Sequence, residues 1–335
     1  MIHLFRPNDR STVPAGSEKY APAMHAAWMR AFPDAQPEER DKEDWVENAC
    51  FLESFERLGV SYDILDPAPG GSISSMADFA LEGEGSPAFF HTGVSPRDQI
   101  TKHSFTFPLQ GTKLIELAAQ YTNSETFRNV SGREMIMCRL DRGDIDAAIR
   151  TIAPEGGQLF IKTVRKQNAF ILDYDAASER SPSSQLYKAC EDIMWDTVRF
   201  EGSDQPYLII QGVIAPTYEY RMFMVDGVPV TGAGCVEEFT PLDNWETFDP
   251  KMEVVRNQSG VTSNRNLLDD YLSFAREFGA QYAKENGTGL VYSLDLCIDR
   301  RSGKIRPIEI NPPANLGRYA SNTDAWILAI DQLES

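Results

Sequence analysis

The stretch that decides the fold is LVYSLDLCIDRRSGKIRPIEINPPANLGRY, residues 290–319, close to the end of the chain. Two runs rich in apolar residues, 290–298 and 305–311, flank the sequence Arg301-Ser302-Gly303 and predict two strands joined by a turn. A three-residue hairpin loop with Gly303 in the left-handed conformation fits this turn. In that register, Asp295 lies directly opposite Glu309.

Three side chains that carry oxygen then share one face of the predicted hairpin. Directly opposed residues have Cβ atoms about 4.5–5.5 Å apart, which places Asp295 beside Glu309. Asn311 lies two residues beyond Glu309 and points to the same face. Two adjacent carboxylates repel each other, and Mg²⁺ removes this cost because it prefers oxygen ligands. The hairpin alone therefore predicts that Asp295, Glu309 and Asn311 bind Mg²⁺.

The alternative is an exposed pair of strands whose acidic residues form salt bridges with basic residues of the same hairpin. Those basic residues are Arg300, Arg301, Lys304 and Arg306. They cluster near the turn, whereas the three oxygen-bearing residues lie near the other end of the hairpin, which favours the metal site.

Upstream of the hairpin, strands dominate from residue 158 onward. The predicted strands are 158–163, 169–174, 207–214, 219–225 and 228–236. The last two join across Asp226-Gly227, a strong signal for a two-residue hairpin turn. A long helix is predicted at 267–284. Ser131 and Glu134 have the spacing of a capping box, which predicts a helix that runs through Arg139.

The N-terminal third has a different pattern, in which short strands alternate with helices. Strands are predicted at 2–6, 62–66 and 88–93, and helices near 21–32 and at 42–58. The helix at 42–58 has apolar residues at helical spacing. Strand–helix–strand order is typical of a small α/β domain with parallel pairing. No glycine-rich dinucleotide fingerprint follows any of these strands.

The order of these elements resembles the ATP-grasp superfamily over roughly residues 111–335. Asp295 and Glu309-Ile310-Asn311 are similar to its metal motif, which holds one or two Mg²⁺ ions that bridge the phosphates of ATP. The resemblance implies an α/β (α+β) protein in which a small N-terminal α/β domain, 1–110, precedes an ATP-grasp domain with antiparallel sheets, 111–335. That domain divides into a smaller ATP-clamping subdomain, 111–212, and a metal-binding subdomain, 213–335.

The resemblance also implies roles for residues of the upstream strands. Lys162 is similar to the strand lysine that reaches the nucleotide phosphates, and Arg221 to the arginine that contacts phosphate or a reacting acyl phosphate. Both are expected to take part in catalysis; the alternatives are an edge-strand lysine for Lys162 and a cross-strand salt bridge for Arg221. Gln211, Gly212 and Val213 resemble the strand between the two subdomains, whose backbone contacts the adenine.

Four further residues have weaker assignments. Glu219 either meets the ribose hydroxyls or a metal, or forms a cross-strand salt bridge. Lys166 lies in the loop 163–169, which lacks glycine where the family is often glycine-rich, and it either covers phosphates by charge or lies on a solvated loop. Asn315 and Arg318 are placed on the acceptor side, with Arg318 as a carboxylate clamp or a solvent-facing arginine.

The implied reaction is an ATP- and Mg²⁺-dependent ligation, in which a carboxylate is activated as an acyl phosphate and then attacked by an amine or similar nucleophile. A phosphotransferase acting on a small molecule is one alternative. A catalytically degenerate nucleotide-binding regulatory protein is another, since the family usually supplies a second lysine earlier in the chain. In 125–145 only Arg133 and Arg139 are near that position, and neither is compelling. A metal-binding module without a nucleotide would leave Lys162 and Arg221 unexplained.

Composition limits the partners. The formal net charge is −18 over 335 residues, so binding to bulk nucleic acid is disfavoured. The resemblance to the ATP-grasp superfamily implies small-molecule or peptide carboxylates and amines as substrates. No stretch reaches the ~20 apolar residues that cross a bilayer. The 5 cysteines are scattered and no signal peptide is recognised, which favours the cytoplasm. The oligomeric state stays open, with a homodimer as one alternative.

Overall fold

The computed structural model describes most of the chain. The described residues are 2–5, 7, 10–39, 42–64, 88–91, 114–164, 169–192, 207–234, 239–244, 246–256, 258, 260–312 and 317–334. No helix among these residues is both long enough and apolar enough to span a membrane.

The N-terminal domain is built on a small parallel sheet. In chain order its elements are β1 (Ile2–Phe5), β2 (Thr12–Pro14), α1 (Ser17–Tyr20), α2 (Pro22–Ala31), β3 (Gln36–Glu38), α3 (Lys42–Leu58), β4 (Tyr62–Ile64) and β5 (Ala88–Phe90). The sheet order is β4-β1-β5 with parallel pairing throughout, as the sequence predicts. The predicted apolar face of α3 is buried at Trp45, Ala49, Leu52 and Phe55.

A second, antiparallel sheet follows. The elements of this region are α4 (Leu114–Asn123), α5 (Glu125–Ser131), β6 (Met135–Arg139), α6 (Arg142–Ile152), β7 (Gly157–Thr163), β8 (Ala169–Tyr174), α7 (Pro182–Asp192) and β9 (Tyr207–Gly212). The sheet order is β6-β9-β7-β8, and we call it the small sheet. Helices α6 and α7 pack on one of its faces through Ile145, Ile149 and Leu186.

The predicted helix through Arg139 is wrong. Helix α5 begins after its N-cap Ser124 and ends at Gly132, which adopts φ 70°. The next residues form β6, where Met135 pairs with Gln211 of β9. Burial of Met135 and Cys138 in the sheet outweighs a short capping signal, because tertiary packing routinely overrides local propensity.

The C-terminal part forms the largest sheet. Its elements are β10 (Pro216–Val225), β11 (Val228–Gly234), β12 (Lys251–Glu253), β13 (Val261–Ser263), α8 (Arg265–Asn286), β14 (Val291–Asp299), β15 (Lys304–Asn311) and α9 (Thr323–Asp331). Strands β11-β10-β14-β15 form the large sheet, all antiparallel. Asp226 and Gly227 turn the chain between β10 and β11 with φ 49° and 77°, which confirms the predicted hairpin. The expected α/β fold with antiparallel sheets is confirmed.

The two faces of the large sheet have different partners. On one face Tyr220 and Met222 pack in a common core with α8, through residues such as Tyr271. On the other face Phe223 packs against Trp326 of α9, with ring centroids 5.3 Å apart, and joins the core of the N-terminal domain. Arg221 precedes Phe223 by two residues, so its side chain lies on the face that meets the N-terminal domain.

Helices α4 and α5 also join the core of the large sheet. Leu117 and Phe127 pack in one cluster with Phe278 of α8. Residues 114–131 thus contact the large sheet, although the expected subdomain bounds assign them to the ATP-clamping part. The bounds themselves stay a prediction.

The hairpin β14–β15 places Asp295 opposite Glu309, as predicted, but reaches this register differently. Asp299 pairs with Lys304, so residues 300–303 form a four-residue turn instead of the predicted three-residue loop. Gly303 is left-handed, with φ 67°. A β-bulge between the pairs Asp295–Glu309 and Leu296–Pro307 leaves Ile308 without a partner and restores the predicted alignment.

Candidate active site

A buried ion pair lies on the face of the large sheet that meets the N-terminal domain. Arg221 on β10 is the register partner of Asp295 on β14. Its Nε and Nη2 donate to the two carboxylate oxygens of Asp295 at 2.8 and 2.7 Å. Both residues are buried, which makes this a desolvated bidentate pair. Such a pair fixes the plane of the guanidinium as well as its position.

A second ion pair joins the two antiparallel sheets. Lys162 on β7 of the small sheet donates through Nζ to Oε2 of Glu309 on β15. Asn311 completes the group, since its Nδ2 lies 2.8 Å from Oε1 of Glu309 and 3.3 Å from Oδ2 of Asp295. Two carboxylates, one amide and two cations thus form one connected cluster in which every charge has a neighbour of opposite sign.

Burial shifts the proton affinities of the groups around this cluster. Desolvation lowers the pKa of Lys162 to about 8, although Asp295 acts in the opposite direction. Burial also raises the pKa of the Glu219 carboxyl, and Asp295 adds to this shift, whereas Arg256 and Arg221 oppose it. Glu219 is therefore electrostatically linked to the cluster.

A turn after β15 covers the outer side of Arg221. The carbonyl of Gly317 accepts from Arg221 Nη1 at 3.2 Å, and the ring of Tyr319 lies 5.0 Å from the guanidinium carbon. Tyr319 adopts φ 46°, which is uncommon for a bulky residue. Glu47 on α3 accepts the backbone N–H groups of Arg318 and Tyr319, the latter at 2.9 Å. The N-terminal domain thereby contacts the turn that contacts Arg221.

The junction between the two sheets is held by Arg133. Its Nε donates to Oε1 of Gln211 at 2.8 Å, and its Nη atoms donate to the carbonyls of Pro307 and Ile308 at 3.0 and 2.6 Å. The bulge region of β15 therefore supplies two acceptors to a residue in the loop between α5 and β6. Burial lowers the pKa of Arg133 to about 10.

Backbone groups at the end of β9, in residues 212 and 213, already form hydrogen bonds. The N–H of Gly212 donates to the carbonyl of Glu134 at 3.0 Å. The carbonyl of Val213 accepts from Arg301 Nη1 at 3.1 Å. A nucleotide base at this strand would use the other backbone groups of Gln211, Gly212 and Val213, or displace these partners.

Arg318 lies farther along the same face, between the large sheet and the N-terminal domain. Its guanidinium carbon is 4.4 Å from the centroid of Phe223 and 5.1 Å from those of Phe51 and Trp326. Among the described residues, its Nε and Nη2 have no hydrogen-bond partner. Burial lowers the pKa of Arg318 to about 10.

Sequence comparisons identify no relative: no protein-family model matches the chain, and neither does any curated protein. Solved structures do match. The D-alanine–D-alanine ligase of Bacillus anthracis, complexed with ATP, aligns with a TM-score of 0.50 over 100% of this chain and 97% of its own, at 8% identity.

The chain has the ATP-grasp fold. Two further solved structures align less closely. D-cycloserine synthetase DcsG has a TM-score of 0.47 at 13% identity, over 99% of this chain and 100% of its own. The RimK domain ATP-grasp protein of Sphaerobacter thermophilus has a TM-score of 0.46 at 13% identity, over 89% and 98%. At these identities the likeness concerns the fold.

Within this ATP-grasp fold, half of the predicted site residues that the structure describes come together in one cluster. Lys162, Arg221, Asp295, Glu309 and Asn311 form the cluster, and Asp295 and Asn311 are each 5% exposed, which contradicts the alternative of an exposed strand pair.

The remaining predicted site residues lie around the cluster or outside the described part of the chain. Glu219 lies beside the cluster, and Gln211 is at the junction of the sheets. Arg318 is 3% exposed, so the solvent-facing alternative for it is wrong. Lys166 and Asn315 fall outside the described residues, and their roles stay predictions.

The oxygen donors of the cluster fit a hard divalent cation. Asp295, Glu309 and Asn311 supply two carboxylates and an amide within hydrogen-bond reach of one another, and oxygen is the ligand that Mg²⁺ prefers. Within the described ranges, no group of three or more His, Cys, Asp or Glu residues could hold a metal.

Three residues that complete the arrangement were not assigned roles from the sequence. Glu47 lies on a predicted helix whose pattern indicates only burial, and Tyr319 follows the metal motif without a recognisable signal. Arg133 is near the position of the expected second lysine, but the structure shows it holding Gln211 and the bulge carbonyls. The sequence predicts a helix for this segment, so the position of Arg133 just before a strand of the small sheet becomes known only from the structure.

Proposed function

We propose that this protein is an ATP- and Mg²⁺-dependent ligase that activates a carboxylate as an acyl phosphate and joins it to an amine or similar nucleophile. The observation that carries the proposal is the cluster in which Lys162 of the small sheet meets Glu309 of the large sheet, beside Arg221 and Asp295. An ATP clamp needs cations and metal-binding carboxylates from two separate sheets at one place, and this cluster supplies both.

The chemistry has two balanced steps. A substrate carboxylate oxygen attacks the γ-phosphorus of ATP, the bond between that phosphorus and the β,γ-bridging oxygen breaks, and ADP leaves. The amine nitrogen then attacks the acyl carbon, the bond to the phosphate oxygen breaks, and inorganic phosphate leaves while the amine loses a proton to solvent. The protein contributes by positioning the reactants and by stabilising charge.

Each residue of the cluster has a place in these steps. Asp295, Glu309 and Asn311 would hold Mg²⁺, which when bound neutralises charge on the phosphate oxygens. Lys162 would contact the transferred phosphoryl group, and Arg221 would bind it through two parallel hydrogen bonds. In the absence of ATP these two cations neutralise the carboxylates, so nucleotide binding exchanges one set of ion pairs for another.

The test is an ATP turnover assay with Mg²⁺ over pools of carboxylates and amines, with ADP and AMP measured separately. We expect ADP release that requires Mg²⁺, a carboxylate and an amine. Glu309→Ala should lower turnover at least about 100-fold, as expected when a charge-stabilising group is lost. The matched control is Glu277→Ala, an exposed acid on α8, which packs on the opposite face of the large sheet.

Several outcomes would overturn the proposal. Undiminished turnover in Glu309→Ala would exclude the metal assignment. A stable phosphorylated product formed without an amine would indicate a phosphotransferase. ATP binding without turnover in every pool would indicate a nucleotide-binding regulatory protein. A structure with an ATP analogue in which Lys162 Nζ contacts no phosphate would exclude the clamp.

A further inference from the structure

We propose that Glu47, on helix α3 of the N-terminal domain, is a positioning residue that holds Arg221 in its working orientation. The inference rests on the proposed function for its catalytic consequence. Its structural part concerns the turn 317–319 and is tested separately below.

Glu47 acts on the backbone of this turn. Its Oε1 accepts the N–H groups of both Arg318 and Tyr319. The same face of α3 continues one helical turn later with Phe51, whose ring lies 5.1 Å from the Arg318 guanidinium carbon. Helix α3 thus contacts both the backbone and the side chain of Arg318. Of these two contacts, the one made by the Glu47 carboxylate fixes the direction of the backbone.

The turn needs such a restraint. Tyr319 has φ 46°, a conformation that L-residues with large side chains rarely adopt unless their surroundings impose it. Gly317 has little free space beside it, because an added Cβ would lie 3.3 Å from the Tyr319 ring and 3.5 Å from Glu47 Oε1. The turn is therefore held tightly between α3 and its own tyrosine.

The restrained turn fixes Arg221 on two sides. Gly317 accepts from Nη1 at 3.2 Å, and the Tyr319 ring lies 5.0 Å from the guanidinium carbon. Asp295 occupies the remaining edge through Nε and Nη2. If Asp295 turns toward a bound cation, the contacts of the turn with the guanidinium remain. Glu47 would then determine where Arg221 points during the reaction.

Burial supports this role over simple packing. Desolvation raises the pKa of the Glu47 carboxyl, while the two backbone N–H groups oppose that shift. Burying an acid is costly, and an apolar side chain would fill the same space on α3 without that cost. The carboxylate accepts two main-chain donors of the turn, and the positive charges of Arg318 and Arg221 also act to lower its pKa.

The experiment compares Glu47→Ala, which removes the acceptor, with Glu47→Gln, which keeps an acceptor oxygen and removes the charge. Glu56→Ala is the matched control, since Glu56 lies on the same helix and pairs with Arg30 at the surface. We expect Glu47→Ala to lower kcat about 10- to 100-fold, the range for a reacting group displaced by about 1 Å. The KM for ATP should change less than about threefold. Glu47→Gln and Glu56→Ala should stay close to the wild type.

Two readouts do not depend on turnover. Hydrogen exchange at the amides of Arg318 and Tyr319 should accelerate in Glu47→Ala and not in Glu47→Gln. The Nε–H resonance of Arg221, assigned by its loss in Arg221→Met, should shift in Glu47→Ala only. If Glu47→Ala does not fold, Glu47→Asp replaces it, because that variant keeps the charge but shortens the side chain by one methylene.

The outcomes separate the two proposals. Accelerated exchange with unchanged kcat and an unmoved Arg221 resonance would overturn the role of Glu47. An equal loss of kcat in Glu47→Gln would show that charge, not the acceptor, matters and would also overturn it. If the wild type turns over no substrate, the proposed function fails, and the exchange and resonance data still decide whether Glu47 positions Arg221.

Discussion

Two buried arginines lie on the same side of the large sheet, and their charges are compensated in opposite ways. Arg221 is paired edge-on with Asp295 and also donates to a backbone carbonyl. Arg318 is surrounded by the rings of Phe51, Phe223 and Trp326. Its nearest acidic influence among the described residues is the Glu47 carboxylate, which acts electrostatically without forming a salt bridge.

The difference distinguishes a region whose cations form ion pairs, which another anion can replace, from a region whose cation contacts aromatic rings. Around Arg221, each ion pair can be replaced by another when an anionic ligand arrives, so charge is conserved while geometry changes. Around Arg318, the faces of aromatic rings stabilise the cation, and these contacts connect the N-terminal domain to the large sheet. We infer that the first region serves chemistry, whereas the second holds the N-terminal domain against the large sheet.

The largest effect is expected from Asp295→Asn, which removes the carboxylate charge that pairs with the buried Arg221. Breaking a buried ion pair by removing one partner costs about 3–5 kcal/mol. We expect the free energy of unfolding in urea to fall by that amount and ATP turnover to be lost. Wild-type stability in this variant would show that the Arg221–Asp295 pair is energetically unimportant and that the contrast is wrong.

The next effect compares the two arginines directly by replacing each with methionine. Arg221→Met strands the buried Asp295 and should also cost about 3–5 kcal/mol. Arg318→Met removes the cation–π contacts and also a positive charge near the buried carboxylate of Glu47, so its cost should be smaller than that of Arg221→Met but larger than that of the cation–π contacts alone. Urea unfolding of both variants measures the difference. Equal losses would mean that the attraction between Arg318 and Glu47 stabilises the fold as much as the Arg221–Asp295 pair does.

An acid titration should distinguish the two regions further. His3 Nδ1 and His91 Nε2 lie 2.7 Å apart in the N-terminal core, and burial lowers the pKa of His3 to about 4. Burial also lowers the pKa of His91, with smaller contributions from His3 and Arg318. Unfolded histidines titrate near 6.5, so the unfolded state binds more protons between about pH 6.5 and pH 4.

The free energy of unfolding should therefore fall as the pH is lowered through this window. Urea unfolding at several pH values would measure the decline, which should be on the order of 1 kcal/mol or more. Arg318→Met should make it shallower, because a positive charge near His91 is gone, whereas Arg221→Met should not. A flat profile in the wild type would show that neither histidine is buried in solution.

The smallest effect is expected at Tyr319, whose ring covers Arg221. Tyr319→Leu removes one cation–π contact, worth about 0.5–2 kcal/mol, so kcat should fall about 2- to 30-fold. Tyr319→Phe keeps the ring and should behave as the wild type in the same assay. Equal activity of all three proteins would indicate that the Gly317 carbonyl alone orients Arg221.

The sequence predicts the parts of this protein that depend on local pattern. Alternation and the Asp226-Gly227 turn locate the strands of the large sheet, and the Glu309-Ile310-Asn311 motif locates the cluster. The helix expected from Ser131 and Glu134 fails, because Met135 and Cys138 gain more from pairing with β9 than a cap provides.

Contacts between distant segments are what the sequence does not contain. Arg318 was expected on the acceptor side or in solvent, and its burial depends on Phe51, which is more than 250 residues earlier in the chain. Glu47 and Arg133 likewise take their roles from where α3 and β15 happen to pack. Lys162 was assignable only because the resemblance placed it, since a lysine on a strand is common in itself.

The β-bulge at Ile308 has a consequence for how this hairpin can vary in length. Side chains alternate between the faces of a strand, so the parity of the residue count decides which side Glu309 and Asn311 occupy. The four-residue turn alone would put them with the wrong parity, toward α8, and the bulge adds the one residue that reverses it. Removal of the bulge residue, with the turn unchanged, would therefore turn Glu309 and Asn311 toward α8 and away from Arg221.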